Sequence, residues 1–272
     1  MSGLKLTKET LKGKLVFLGT AGARYVAFGF ERQAGGLYFG FPELNIHVDP
    51  GPGAFVHSHK KGIEPYWTDV VILSHRHLDH CADVNHILES MTLGGKEKRG
   101  ELFCPSDCID KDPVVLKYTR NNIEKTTILK EGFSTELSKD LSFKTPVKHV
   151  HGVETYGLIF SWREKKIGYI SDTKFFDRLI GAYSEAKDLL ILNVTLLNPN
   201  PKIDHLSVPD AEEIIGEIRP NLTILTHFGR TMIKAKPWEV ALDLTKRLGV
   251  KVIAAYDNMI LDLNTLSVVK QR

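Results

Sequence analysis

The sequence is poor in cysteine, tryptophan and methionine: three, three and four among 272 residues. Cys81, Cys104 and Cys108 are an odd number without paired spacing, which excludes a disulfide-stapled secreted scaffold and fits a reducing cytoplasm. No apolar run approaches the ~18 residues of a membrane span. Residues 1–13 lack the apolar core of a signal peptide, so neither insertion nor export is expected. An excess of one charge is missing too. The net charge of +3 is too mild to announce a long polyanion as partner. There is no internal repeat, charge block or Pro/Gly/Ser linker, so one domain over residues 1–272 is expected, although the length alone also admits two. With 42% hydrophobic and 25% charged residues the chain is that of an ordinary globular protein. One residue type is abundant. There are eleven histidines, and their positions carry the functional argument.

Short β-rich runs predict strands at 14–18, 44–48, 69–73, 102–104, 142–147 and 222–225. Runs 156–162 and 166–170 flank the polar Arg163-Glu164-Lys165 and read as a hairpin, 189–197 as a buried central strand, and 252–263 as a final strand or hairpin. Helical spacing is clear for Val84, Ile87, Leu88 and Met91, stopped by Gly94-Gly95. Ser207 with Asp210 resembles a capping box ahead of Ala211, Ile214, Ile215 and Ile218; Pro237 opens a helix that Gly249 ends. Grouped strands with few helices between them predict an α/β layered architecture of two stacked sheets with helices outside.

Ser74-His75-Arg76-His77-Leu78-Asp79-His80 follows the strand at 69–73 and leads into the helix bearing Val84. Three imidazoles and a carboxylate in one turn have no packing role, because their desolvation would go uncompensated. They are metal-ligand types, with His75 and His77 able to face one point and Asp79 and His80 a second. Asp49, His149, His151, Asp172 and His227 each lie just past a predicted strand end, where sheet-based sites gather their ligands. Five histidines and two carboxylates suffice for two ions bridged by an aspartate, a site that makes hydroxide at neutral pH and polarises an ester. The chemistry implied is hydrolysis.

The run His75-Arg76-His77-Leu78-Asp79-His80 matches H-x-H-x-D-H, and the chain thereby resembles the metallo-β-lactamase superfamily, whose fold is an αββα sandwich. The resemblance continues through Leu18-Gly19-Thr20, Asp49, His151, Ser171-Asp172-Thr173 and Thr226-His227-Phe228. It implies that His75, His77 and His151 hold one metal, that Asp79, His80 and His227 hold a second, and that Asp172 bridges them. Zinc is expected, with manganese or iron as alternatives. Asp79 is expected also to orient or deprotonate the attacking water. Asp49 either orients a ligating histidine or merely forms the turn before Pro50-Gly51. His149, His47, His57, His59 and His86 are expected to be structural or at the surface.

Within the superfamily the chain is most similar to the ribonuclease Z and phosphodiesterase branch, through Phe17-Leu18-Gly19-Thr20, Tyr169 to Thr173, Leu225 to Phe228 and Asp204-His205-Leu206-Ser207. There His205 would protonate a leaving oxygen as a general acid or steady the phosphate; the alternative is that it caps its helix or lies exposed. Two departures stand out. His151 and Asp172 are only 21 residues apart, leaving no room for the tRNA-grasping arm, and Leu192-Asn193-Val194-Thr195 replaces that branch's His-Glu-Ala-Thr. Leucine and asparagine cannot relay protons. The expectation is a dinuclear phosphodiesterase for a small cyclic or nucleotide ester or a short nucleic acid, compatible with a homo-oligomer. The alternatives are a lactone or thioester hydrolase, or a non-catalytic metal-binding accessory protein.

Overall fold

A computed structural model describes residues 5–110 and 112–270. The first four residues of the 1–13 stretch lie outside it. The described chain forms two compact units: residues 5–20, 32–128 and 256–270 make the first, and residues 21–31 and 129–255 the second.

Along the chain, the first unit supplies β1 (Lys14–Phe17), β2 (Leu37–Gly40), β3 (Asn45–Val48), β4 (Val70–Ile72), β5 (Glu101–Cys104) and β6 (Lys125–Ile128). The second supplies β7 (Phe133–Ser138), β8 (Leu141–Thr145), β9 (Leu158–Trp162), β10 (Lys165–Ile170), β11 (Leu189–Leu196), β12 (Leu206–Ser207), β13 (Leu222–Thr226) and β14 (Val252–Ala254). The chain then returns to the first with β15 (Met259–Asp262) and β16 (Ser267–Val268). The first sheet runs β16-β15-β1-β2-β3-β4-β5-β6 and the second β14-β13-β11-β10-β9-β8-β7, with β12 beside β11.

Each sheet has an antiparallel side and a parallel side, and the parallel sides carry most of the candidate site residues. Strands β3 to β6 pair in parallel, with Val48 opposite Ile72. Residues following β3 and β4 therefore leave the sheet at the same edge. In the second unit β10, β11, β13 and β14 are parallel, with Ile170 opposite Leu192 and Asn193 opposite Thr226. Parallel strands bury both faces, and β4 and β13 are buried throughout, as is β11 but for its last residue.

The helices pack where their periodicity indicated. Val84, Ile87, Leu88 and Met91, on the helix Val84–Met91, bury against Val71, Leu73, Leu102 and Cys104. In the second unit the helices Val208–Ile218 and Pro237–Leu248 cover Leu190, Leu192, Leu225 and Val252. Ser207 donates from its amide and hydroxyl to Asp210 Oδ2 (2.8 and 2.6 Å), fixing the start of the first of these, and Gly249 closes the second in the left-handed conformation. No helix among the described residues is long and apolar enough to cross a membrane.

The segment 252–263 is neither one strand nor a hairpin. Its two halves join different sheets, β14 alongside β13 and β15 alongside β1. Between them, Asp257 accepts from Thr20 N (3.0 Å), Thr20 Oγ1 (2.7 Å) and Gln33 N (2.9 Å), contacts distant in sequence that periodicity does not register.

Candidate metal centre

The first unit gathers its donors on the turn that leaves β4. Asp49, the residue after β3, is buried and reaches across to that turn from a left-handed backbone (φ 54°). Its Oδ1 accepts from Ser74 N (2.7 Å), and its Oδ2 accepts from Ser74 Oγ (2.7 Å) and His80 Nδ1 (3.0 Å). Ser74 Oγ, having given its proton to Asp49, accepts from His75 Nδ1 (3.0 Å). His75 and His80 are thus each held through Nδ1, which sets the tautomer that offers Nε2 to an ion. His75 Nε2 lies 3.1 Å from His77 Nδ1, the spacing of two nitrogens sharing one ion at the usual ~2.0–2.1 Å. The His75 and His80 rings are 4.1 Å apart between centroids. Asp79, half-buried, stands in the first turn of the helix Leu78–Cys81. The turn needs glycine below it: a Cβ on Gly51 would lie 2.0 Å from Asp79 O and 2.2 Å from Ala34 O.

The side chains around these donors face elsewhere. Arg76 Nη2 donates to Asp112, at its carbonyl (2.7 Å) and its carboxylate (3.0 Å). Burial pushes the Cys81 thiol up to about 12, and its Sγ donates to Arg76 O, so it is no nucleophile. The three cysteines are free and buried. His47 is buried against Gly35 O (2.9 Å), and burial pushes it down to about 4. His59 is exposed beside Glu64, and His86 packs on the Phe55 ring.

The second unit gathers donors at the edge where β10, β11 and β13 end. His151 gives its Nδ1 proton to Asp204 O (2.9 Å). Asp172, two residues past β10, is buried; its Oδ1 accepts from Asn193 Nδ2 (2.9 Å) and lies 3.3 Å from His227 Nδ1. Thr195 Oγ1 donates to His227 O (3.2 Å), accepts from His227 Nδ1 (3.0 Å) and lies 3.3 Å from His205 Nδ1. His205 Nδ1 is 3.7 Å from Asp172 Oδ2. The donor atoms of His151, Asp172 and His205 all fall within 4.8 Å of one another. His149 takes no part in this group: its Nδ1 donates to Asp172 O (3.3 Å) and its Nε2 accepts from Tyr183 OH (2.9 Å). Burial pushes it down to about 4.

Imidazoles held through Nδ1 by carboxylate, hydroxyl or carbonyl acceptors, beside buried carboxylates, are a donor set suited to divalent metal ions. Known proteins agree. The sequence profile described as the β-lactamase superfamily domain matches residues 44–228, a span that contains all of these donors. The chain belongs to the metallo-β-lactamase superfamily.

Membership makes it a metal-dependent hydrolase by family, with the α/β layered sandwich fold expected from the sequence. It is 31% identical over 253 residues to an uncharacterized protein of Methanocaldococcus jannaschii, covering 90% of this chain and 93% of the relative. Among solved structures it is similar to the metallo-β-lactamase fold protein YhfI from Bacillus subtilis (TM-score 0.75, 18% identity, 91% of this chain and 98% of that one). It is also similar to the short form of human tRNase Z (TM-score 0.69, 17% identity, 92% and 99%).

Against that superfamily background, the stretch from His151 to Asp172 holds the β9–β10 hairpin and no inserted arm. The segment Leu192-Asn193-Val194-Thr195 supplies contacts that the sequence reading missed. Asn193 holds Asp172, and Thr195 stands between His205 and His227. A signal existed. An asparagine and a threonine two apart on one face of an otherwise apolar buried strand must find polar partners.

Proposed function

We propose that the chain is a dinuclear phosphodiesterase. His75, His77 and His151 hold one divalent ion, Asp79, His80 and His227 hold the other, and Asp172 bridges them within a single catalytic domain. The observation that carries this reading is the fixing of donor nitrogens from outside the donor set. Asp49 holds His80, Ser74 holds His75, Asp204 O holds His151 and Thr195 holds His227, an investment in imidazole orientation that packing alone does not require. Imidazole and carboxylate donors suit zinc, with manganese or iron as alternatives.

Two bound divalent ions would supply a water of lowered pKa and polarisation of the phosphoryl oxygen. The chain supplies the rest. Asp79 orients the attacking water and takes its proton; phosphorus gains that oxygen and loses the leaving alkoxide. His205 lies 3.7 Å from Asp172 Oδ2 and gives a proton to the departing oxygen. Asn193 Nδ2 donates to Asp172 Oδ1 and fixes the direction of that carboxylate. The products are a phosphomonoester and an alcohol, which stay in one molecule when the ester is cyclic.

Charge and the segment between His151 and Asp172 support a substrate class. A net charge of +3 and a short hairpin in place of an arm suit a small cyclic or nucleotide ester, or a short nucleic acid, over a folded RNA. The buried free thiols accord with a cytoplasmic enzyme. Zinc-loaded protein should hydrolyse bis-p-nitrophenyl phosphate, and His205→Ala should slow it by about 10²-fold or more without loss of bound metal. Turnover of lactones or thioesters with none of phosphodiesters would contradict the reading.

A further inference from the structure

Residues 21–31 carry three outward aromatic side chains: Tyr25, Phe28 and Phe30 are 69, 70 and 92% exposed. Tyr25 and Phe28 are three apart on the helix Ala23–Phe28, which Val26 anchors by burial, so they share one face. Phe30 follows in a left-handed conformation (φ 50°), which bulky residues avoid; its amide donates to Ala27 O (3.2 Å) and that of Glu31 to Val26 O (3.2 Å). The segment is rooted in the motif that bears His227. Ala21 pairs with Phe228, Gly22 N donates to Phe228 O (3.0 Å), and a Cβ on Gly22 would lie 1.9 Å from His227 O. At its far end Arg230 Nε donates to Glu31 Oε1 (2.7 Å), and its guanidinium lies 5.8 Å from the Tyr25 ring centre. Arg24 is exposed on the same helix and has no ion-pair partner among the described residues.

We infer that Tyr25, Phe28 and Phe30 form a platform on which the planar base of a nucleotide substrate stacks, with Arg24 facing its phosphate charge. The inference rests on the phosphodiesterase reading and narrows it to substrates that carry a base. An aromatic face accepts any base by stacking, and the unpaired arginine beside it favours an anion. The platform exposes roughly 500 Å², less than the ~800 Å² per partner of a stable protein interface, which argues against a second copy as occupant.

Calorimetric titration of zinc-loaded protein with adenosine 5′-monophosphate and with ribose 5-phosphate isolates the base. The nucleotide should bind at least about fivefold tighter. The triple variant Tyr25→Ala/Phe28→Ala/Phe30→Ala should erase that preference and leave ribose 5-phosphate binding unchanged; Arg24→Ala should weaken both ligands alike. Equal affinities in the wild-type protein, absence of nucleotide binding, or a preference that survives the triple variant would overturn the platform. So would a concentration-dependent dimer, seen by light scattering, that the triple variant abolishes. A nucleotide preference in protein that fails to hydrolyse phosphodiesters would uphold the platform and remove the reaction.

Discussion

Replacing Asp49 by asparagine separates two roles that its position combines. Asparagine tolerates the left-handed backbone at φ 54° as aspartate does, so the turn before Pro50-Gly51 survives. The carboxylate's acceptor geometry does not. Asp49 serves three donors: Ser74 N and Ser74 Oγ at 2.7 Å each, and His80 Nδ1 at 3.0 Å. An amide that keeps its oxygen on Ser74 N turns its NH2 toward Ser74 Oγ and His80 Nδ1, setting donor against donor. Ser74 can rotate its hydroxyl. His80 can respond only by carrying its proton on Nε2, the nitrogen required for the ion. Hydrogen bonds to a charged acceptor contribute ~1.5–3 kcal/mol against ~0.5–1.5 for neutral ones, so the bond from Ser74 N weakens by about 1 kcal/mol, and losing the bond from His80 brings the total to about 3 kcal/mol. Metal affinity should fall by ~10–100-fold. Urea unfolding of metal-free protein measures the first quantity and competition with a chromophoric chelator the second. A variant within ~0.5 kcal/mol and twofold of the wild type on the two measurements would refute the orienting role and leave Asp49 a turn residue.

Asp79→Ala should reduce phosphodiester hydrolysis by at least ~10²-fold while the far-ultraviolet circular dichroism and melting curve change little; wild-type turnover in that variant would place the chemistry elsewhere. Thr195→Val keeps shape but removes the hydroxyl between His227 and His205, and should cost ~1–3 kcal/mol of stability together with ~10-fold or more in metal affinity. Unchanged affinity would contradict its role in holding His227. Acid should destabilise the metal-free protein through its buried neutral histidines. His47 is lowered from 6.5 to about 4 by burial, so the unfolded chain takes up this proton first. Stability is then full above about pH 6.5 and lost as the pH falls toward 4, by up to ~3 kcal/mol for this group. His47→Gln should flatten the slope of unfolding free energy against pH in that window, and an unchanged slope would show that His47 is not its source.

What the sequence disclosed and what it hid have separate physical causes. Signals that depend on residues close in the chain were readable: the stripe Val84, Ile87, Leu88, Met91; the hairpin about Arg163; and the histidine turn after β4. Strands β6 and β7 were missed because they lie half-exposed, with burial that alternates weakly or not at all along Lys-Thr-Thr-Ile and Phe-Ser-Thr-Glu-Leu-Ser. The reading of 252–263 as a final strand or hairpin failed because its halves pair with strands of different sheets, β13 and β1, and Asp257 between them meets Thr20 and Gln33, more than two hundred residues away. The candidate donors were legible as residue types at strand ends. The residues that orient them were not all so, because Asn193 and Thr195 look like interruptions of an apolar strand until the chain is folded.

Metal content is the direct test of a dinuclear centre. Zinc-loaded wild-type protein, dialysed free of excess metal, should retain two ions per chain by mass spectrometry. His75→Ala and His227→Ala should each retain fewer. Two ions retained in both variants, or none in the wild type, would rule out a dinuclear centre built on these residues.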